Sequence, residues 1–420
     1  MLFFNANFIC YYFYPTKKRE EPFFLPRTRR TKMEMNELFY KDAYLKEFDA
    51  VVTSCHEGKN GFEVVLDDTA FYPEGGGQPW DTGTLNDAKV TSVRKKDGVI
   101  IHYTDKPLAE GTKVHGVIDW IRRFDHMQNH SGEHIFSGLV HKKFGYDNVG
   151  FHLHDIVTVD FNGMMTWQDA LDIEREANEI IWKDEETKIS FPSKEELSSM
   201  DYRSKIELDG TVRIVEFPEG DTCACCGTHV SRAGEVGIVK VLSLARHKGG
   251  VRIELVCGRR AMEMMDKIYD LNEDIAVRFS VKPFETKEAV EKQAEEKAEL
   301  MARLADANRC YFALKAGVLT EGKCAVLLYE EELNAGEIRK FCEYLTETGK
   351  DDIYFVLSKK DQDSLNYAIG SAREDLRPLI REWNKALHGR GGGRSEMVQG
   401  SFSCRLSEAE DLVRSLNEEM

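Results

Sequence analysis

Short runs of alternating, β-branched and aromatic residues fill positions 48–116. Turn-forming residues separate these runs at 58–61, 67–68, 75–77 and 95–98. Short strands at such close spacing are typical of a small all-β barrel. We therefore predict a β-barrel domain over residues 36–116.

The pattern changes to a helical period after the barrel. Ile135, Phe136, Leu139 and Val140 form an apolar stripe within a predicted helix over 126–144. An acidic helix is predicted over 167–184, and strand-like runs lie at 156–161, 211–216, 236–243 and 250–256. This mixture predicts an α+β domain over residues 117–265.

Residues 285–314 are rich in Glu, Lys and Ala. Their apolar positions follow a partial heptad seam at Val290, Ala294, Met301, Leu304 and Tyr311. Because Lys297 and Asn308 interrupt that seam, we predict a helical linker or hairpin over 266–314 rather than a long coiled coil. This linker, or the domain after it, is the expected contact of a homodimer.

Residues 315–420 return to alternating strands and helices. Strands are predicted at 325–329, 353–357 and 365–369, and helices at 335–346 and 376–387. A glycine-rich loop at 389–393 and a terminal acidic helix complete a separate α/β domain. The predicted fold class is therefore multidomain α+β, as expected for a chain of 420 residues.

The formal net charge of −16 argues against indiscriminate binding to nucleic acid. A phosphate backbone would have to meet a local basic patch. The candidates are Arg122 and Arg123, Lys142 and Lys143, residues 246–248, Arg259 and Arg260, and the pair Arg390 and Arg394.

The first 14 residues are aromatic and apolar, but no basic region precedes them and they are too short to span a bilayer. A basic, proline-containing stretch follows at 17–32. We expect residues 1–35 to be disordered or to precede the true start at Met33 or Met35. The ten cysteines, without a convincing signal peptide, indicate reduced thiols and the cytoplasm.

Two pairs of metal-binding residue types share one spacing. His130 and His134 lie four residues apart on a predicted helix, so they project from one face. Cys225 and His229 repeat the interval, and together the pairs offer four ligands that Zn²⁺ prefers. Cys223 or Cys226 can replace Cys225, which we prefer because it alone reproduces the interval. A purely supporting zinc site, or cysteines that simply pack, is the structural alternative.

Three consecutive glycines, Gly75, Gly76 and Gly77, precede Gln78 inside the segment 71–83. They allow another backbone or a ligand unusually close approach, although a tight barrel turn also explains them. The segment lacks the Gly-Lys-Ser/Thr of a nucleotide P-loop, so the motif does not predict ATP binding.

These segments together resemble the AlaX-type editing proteins related to alanyl-tRNA synthetase. The resemblance rests on Tyr-Pro-Glu-Gly-Gly-Gly-Gln-Pro, the paired histidines, Cys-Cys-Gly-Thr-His-Val and the segment 252–260. The tail at 389–400 is similar to the DHH-associated RNA-binding domain of long AlaX forms.

The resemblance implies zinc held by His130, His134, Cys225 and His229, with Gly75, Gly76, Gly77 and Gln78 contacting substrate. It also implies hydrolysis of the ester in alanine tRNA mischarged with serine, or with glycine. Arg390 and Arg394, in the glycine-rich tail, suit phosphate contact. No aminoacylation domain is apparent, so the implied protein is a free-standing editor.

The chain departs from the synthetase pattern at Glu133, where threonine usually precedes the second histidine. Glu133 is predicted to border the site as a general base, as a partner of the substrate amine or as a solvated carboxylate. Ser131 is a nearby hydroxyl that can replace the missing threonine, or can be a surface or back-bonding residue.

Two other functions are weighed against the editor. His-x-x-Glu-His over 130–134 matches an inverzincin metalloprotease motif. That motif explains neither Cys225 and His229 nor the glycines, and a protease zinc usually keeps three protein ligands and a water. The third hypothesis is a non-catalytic RNA-binding protein whose zinc only holds the fold.

Overall fold

A computed structural model describes residues 37–59, 61–204, 211–319, 322–349 and 351–418. The chain divides into two compact units between Leu271 and Asn272. The prediction for residues 1–35 falls outside the described residues. None of the described helices combines the length and apolar composition that a membrane span requires.

The first unit opens with a short helix and a closed six-stranded barrel, which confirms the predicted barrel. The strands pair in the order β1-β2-β5-β4-β3-β6. The elements are α1 (Leu38–Lys41), β1 (Glu47–Gly58), β2 (Gly61–Leu66), β3 (Gly83–Leu85), β4 (Ala88–Lys96), β5 (Val99–Thr104) and β6 (Lys113–Ile118). Alternate strand residues such as Val64, Val90 and Val114 fill the interior.

The α+β region of the first unit places a long helix and an acidic helix with two antiparallel sheets. The sheet orders are β12-β13-β8-β7 and β11-β10-β9. The elements are α2 (Trp120–Phe144), β7 (Asn148–Leu153), β8 (Val157–Phe161), α3 (Trp167–Lys183), β9 (Lys188–Ser190), α4 (Lys194–Ser199), β10 (Ile214–Phe217), β11 (Asp221–Ala224), β12 (Val239–His247) and β13 (Gly250–Cys257).

Helix α2 begins at Trp120, earlier than the predicted start near residue 126. The Asp119 side chain accepts from the Arg122 N–H at the start, and Gly145, at φ 70°, ends the helix. Polar residues from Arg123 to Ser137 are buried along it. A helix so polar and so buried must satisfy those groups through tertiary contacts.

Two long helices follow, α5 (Gly258–Phe279) and α6 (Thr286–Gly317). Helix α5 continues directly from β13, and α6 covers the predicted helical segment at 285–314. Most side chains of α6 are exposed, Met301 and Leu304 among them. The linker role of this region stays a prediction.

The second unit contains a five-stranded sheet in the order β14-β15-β16-β18-β17. Strands β14 and β15 are parallel, and the other neighbours are antiparallel. The elements are β14 (Ala325–Tyr329), α7 (Ala335–Thr348), β15 (Ile353–Lys359), β16 (Leu365–Gly370), α8 (Leu376–Ala386), β17 (Arg390–Gly393), β18 (Met397–Phe402) and α9 (Leu406–Glu418).

The predicted glycine-rich loop at 389–393 is wrong, because Arg390–Gly393 form strand β17 and pair with β18. Ladder hydrogen bonds use only backbone groups, so glycines can pair where close approach excludes a side chain. A Cβ atom at Gly393 would lie 2.2 Å from the Met397 carbonyl oxygen.

Candidate metal centre

The four predicted zinc ligands meet in the first unit. Helix α2 supplies His130 and His134 from one face, and the segment after β11 supplies Cys225 and His229. Their candidate ligand atoms all lie within 4.8 Å of one another. The Cys225 Sγ atom lies 3.6 Å from His130 Nε2 and 3.3 Å from His229 Nε2.

Each of the three histidines has its Nδ1 atom held by a different polar side chain. The pairs are His130 with Gln78 Oε1 at 2.9 Å, His134 with Asp221 Oδ2 at 2.9 Å, and His229 with Ser131 Oγ at 3.2 Å. A partner on Nδ1 fixes the ring and leaves Nε2 for a metal. Three imidazoles and one thiolate in this arrangement fit a tetrahedral zinc site.

The electrostatics single out Cys225 among the clustered cysteines. Burial alone would raise the pKa of the Cys225 thiol, but the three histidines hold that pKa well below its ordinary value. The Gly227 N–H also donates to Cys225 Sγ at 3.3 Å. Burial raises the pKa of Cys223. A lowered pKa favours the thiolate that metal binding requires, and Cys225 is the clustered cysteine that lies with His130, His134 and His229.

The glycine-rich segment is a tight turn that reaches the metal ligands. Gly75 and Gln78 exchange backbone hydrogen bonds of 3.1 and 3.0 Å. Gly76 and Gly77 have φ angles of 60° and 84°. A Cβ atom at Gly77 would lie 2.5 Å from the Phe151 ring. The turn thus needs glycine for conformation and for space.

Gln78 is buried and ties this turn to the ligand loop. Its Oε1 atom accepts from the Thr228 N–H at 3.1 Å, and its Nε2 donates to Thr228 Oγ1 at 2.9 Å. The same Oε1 contacts His130 Nδ1. We expected Gln78 to touch substrate, but its polar atoms contact the ligand-bearing elements.

A buried ion pair anchors the turn. The Arg123 guanidinium donates to the Asp81 carboxylate, and Asp81 Oδ2 accepts from the Tyr72 N–H at 2.6 Å. Arg123 and Asp81 are both fully buried. The prediction that Arg123 contacts phosphate is therefore wrong. Arg259 and Arg260 are likewise paired, with Asp125.

A cavity of about 780 Å³ opens beside the ligands. Gly76, Gly77, His130, His134 and Cys225 contribute to its wall. This volume falls within the range of small-molecule sites. The cavity is therefore large enough to hold a small molecule against the candidate metal ligands.

Glu133 and Ser131 are buried, with 2% and 0% of their surfaces exposed, so the surface alternatives for both are wrong. Neither is among the residues that line the cavity. The Glu133 carboxylate accepts from Ser137 Oγ and Asn148 Nδ2, each at 2.5 Å. Asn148 does line the cavity, so Glu133 reaches it through that amide.

The residues that support His134 were not predicted from the sequence. Arg203 donates to both Asp221 oxygens at 2.7 Å, and Asp221 Oδ2 also contacts His134 Nδ1. This fork fixes the carboxylate that orients the ligand. No spacing in the sequence relates Arg203 to His134, because only the tertiary fold joins them.

The remaining predicted substrate contacts, Arg390 and Arg394, lie in the second unit. Arg390 begins β17 and Arg394 follows it, and both are exposed. The Arg394 N–H donates to the Met397 carbonyl at 2.8 Å. Both residues thus lie on the hairpin of β17 and β18.

Three family models match separate parts of the chain. They are tRNA synthetases class II (A) at 25–122, the threonyl and alanyl tRNA synthetase second additional domain at 212–254, and the DHHA1 domain at 321–420. The second match contains Cys225 and His229. The fold and site therefore define a relative of synthetase editing modules with an appended DHHA1 domain.

The chain belongs to the alanyl-tRNA editing protein family, in its long form, as the motifs predicted. It is 30% identical to alanyl-tRNA editing protein AlaX-L of Pyrococcus horikoshii, over 90% of this chain and 96% of that protein. It is 27% identical to alanyl-tRNA editing protein Aarsd1 of Mus musculus, over 90% and 97%. Its match to alanine–tRNA ligase of Pyrococcus abyssi, at 29% identity, spans only 44% of the ligase.

Proposed function

We propose that the protein is a zinc-dependent trans-editing hydrolase of alanine tRNA mischarged with serine, or with glycine. The observation that carries the proposal is the four-ligand cluster of His130, His134, Cys225 and His229, in which every imidazole is oriented through Nδ1. Family membership supplies the substrate class. We also place this activity in the cytoplasm.

Zinc, when bound, supplies positive charge that orients or polarises the aminoacyl end of the substrate. The cavity holds the ester beside the ligand cluster, where a water from solvent adds to the ester carbonyl carbon. The bond from that carbon to the terminal ribose oxygen then breaks, and the ribose oxygen takes up the proton. The backbone of Gly76 and Gly77, exposed at the cavity wall, allows the substrate close approach. With four protein ligands, positioning is the role we assign to the centre.

Glu133 and Ser131 act on the reaction as positioning residues. Ser131 Oγ lies 3.2 Å from His229 Nδ1 and accepts from the Val230 N–H at 3.2 Å, so it orients one ligand. Glu133 fixes the Asn148 amide at the cavity wall. A side chain that contacts every substrate at the cavity wall must be held in this way.

The second unit raises affinity for tRNA. Arg390 and Arg394 present two cations beside the glycine backbone of β17, a combination that suits phosphate contact. We also propose a homodimer through the helical linker or the C-terminal domain. Sedimentation of the full chain tests this proposal.

The metalloprotease hypothesis finds little support in the geometry. A general base must reach a water at the reacting bond, whereas the Glu133 carboxylate is bound to Ser137 and Asn148. A test of deacylation activity distinguishes the editor from a non-catalytic RNA-binding protein.

The deciding experiment offers the purified protein seryl-, glycyl- and alanyl-tRNA of alanine specificity, with and without a zinc chelator. We expect release of serine or glycine to exceed release of alanine, and the chelator to abolish it. Binding without release would establish the non-catalytic RNA-binding protein instead. Cleavage of casein, with no release from tRNA, would establish the protease.

A further inference from the structure

Arg213 lies immediately before β10 and is 3% exposed. Its Nη1 atom donates to the carbonyl oxygens of Cys225 and Gly227, at 2.9 and 3.0 Å. Its guanidinium lies 5.6 Å from the centre of the Tyr40 ring. The side chain is thus held firmly beside the ligand loop.

Arg213 differs from Arg123 and Arg203 in having no counter-ion among the residues that the structure describes. Arg123 pairs with Asp81, and Arg203 pairs with Asp221. Among the described residues, no carboxylate forms an ion pair with Arg213. Its Nε atom is buried and has no hydrogen-bond partner in that part of the chain. A buried charge is costly unless it is paired, so this one calls for an anion.

The anion must enter through the cavity. Arg213 lines the same cavity as His130, His134 and Cys225. Its Nη1 is engaged by the loop, which leaves the Nε edge as the unsatisfied part of the guanidinium. A guanidinium edge matches phosphate oxygens in geometry and charge.

The charges of the proposed substrate indicate which group this is. An aminoacyl ester carries an ammonium group, which an arginine repels, and an ester that is neutral. The nearest permanent anion is the phosphate on the 5′ side of the terminal nucleoside. We propose that Arg213 binds this phosphate and so sets how deeply the aminoacyl end enters the cavity. The inference rests on the proposed function, whose substrate contact it specifies.

The competing explanation is that Arg213 only braces the Cys225–Gly227 loop through the two carbonyls. The explanations differ in which ligand they affect. If Arg213 only braces the loop, its replacement disturbs the cluster of metal-binding residues and weakens the binding of all small molecules alike. A phosphate contact changes only ligands that carry the phosphate.

The probes are AMP and adenosine, which differ in the 5′-phosphate alone. Their affinities are measured calorimetrically for the zinc-loaded full chain and for Arg213→Gln, with zinc content determined on each sample. Arg175→Gln is the control, because it removes the same charge from the exposed face of α3. We expect the unaltered protein to bind AMP ~10-fold tighter than adenosine or better. Arg213→Gln should lose this preference and keep its zinc and its affinity for adenosine.

Equal affinity of the unaltered protein for both ligands would overturn the proposal, as would a preference that survives in Arg213→Gln. Loss of zinc, or equal weakening of both ligands, would establish the brace. A second measurement needs no variant: AMP, but not adenosine, should protect Arg213 from butanedione, as read by peptide mass. Absence of such protection also overturns the proposal. Since neither measurement requires hydrolysis, a protein that prefers AMP but fails to release serine from tRNA refutes the proposed function alone.

Discussion

The Nδ1 atom of His130, on helix α2, lies 2.9 Å from Oε1 of Gln78, in the glycine-rich turn of the barrel. The barrel therefore orients a ligand that belongs to the neighbouring α+β region. The turn, the ligand loop and helix α2 form one connected hydrogen-bonded unit through this amide. A change in the turn should then be detected at the metal.

Replacing Gln78 with Ala should weaken zinc binding ~10- to 100-fold, because loss of a partner on Nδ1 frees the ring of a metal-bound histidine. Competition with a chromogenic chelator measures the affinity. Gln168→Ala, on the exposed surface of α3, is the control and should change nothing. Unchanged zinc affinity in Gln78→Ala would show that the amide does not support the ligand.

The clustered cysteines offer a matched pair of variants. Cys225→Ser should remove zinc, because it takes away the thiolate that lies among three imidazoles. Cys223→Ser should retain one zinc per chain, because Cys223 lies outside the cluster of His130, His134, Cys225 and His229. Elemental analysis of each freshly purified variant measures its zinc content. A chain that keeps its metal as Cys225→Ser but loses it as Cys223→Ser would reverse our ligand assignment.

The two glycines Gly77 and Gly98 have nearly the same φ, 84° and 85°, but different surroundings. A Cβ atom at Gly98 meets nothing within 4 Å, whereas one at Gly77 meets the Phe151 ring. Gly98→Ala should cost roughly 1–2 kcal/mol through conformation alone. Gly77→Ala should cost more and should also lower deacylation. Equal melting temperatures for the two variants would show that the Phe151 ring does not require glycine at position 77.

The clustering of the four candidate ligands could be predicted from the sequence because each pair is local. An interval of four residues places His130 beside His134, and the same interval recurs at Cys225 and His229. The supporting partners Gln78 and Asp221 could not be predicted, since only tertiary folding brings them to the histidines. Arg123 looked like a surface cation for the same reason: its burial depends on Asp81, 42 residues away.

In the C-terminal unit, the two strands β17 and β18 were not predicted from the sequence. The run of glycines in 389–393 suggested a loop, yet these residues form β17. Glycine has little local preference for a strand, but it does not prevent one. Residues 390–393 form a strand because they pair with β18. Element order elsewhere in this unit was predictable because each helix carries a clear apolar face.

The prediction for the second unit concerns affinity rather than chemistry. The double substitution Arg390→Gln and Arg394→Gln should raise the KM for mischarged tRNA, with a smaller effect on kcat, because phosphate contacts position the substrate. Arg405→Gln, an exposed arginine of the same unit, is the control. A loss confined to kcat would contradict the assigned role. The effect should also shrink as salt concentration rises, as expected for contacts to a polyanion.

Glu133 provides the sharpest test of how the cavity wall is held. Its carboxylate accepts from Asn148 Nδ2 and Ser137 Oγ, and Asn148 lines the cavity. Glu133→Gln should therefore lower deacylation of seryl-, glycyl- and alanyl-tRNA together, without loss of zinc and without a large change in their ratio. Asn148→Ala should produce the same pattern. Because both changes disturb one contact, the double variant should be little worse than the more damaged single variant.

The alternatives for Glu133 make different predictions in the same measurements. A general base would cost ~100-fold or more in kcat as Glu133→Gln, with no dependence on Asn148. A specificity contact would alter mainly the ratio of seryl- to alanyl-tRNA release. Full activity in Glu133→Gln would show that an uncharged acceptor holds Asn148 equally well, and Glu133→Ala would then have to reproduce the loss. If Glu133→Ala is also fully active, the proposed positioning of the cavity wall by Glu133 is wrong.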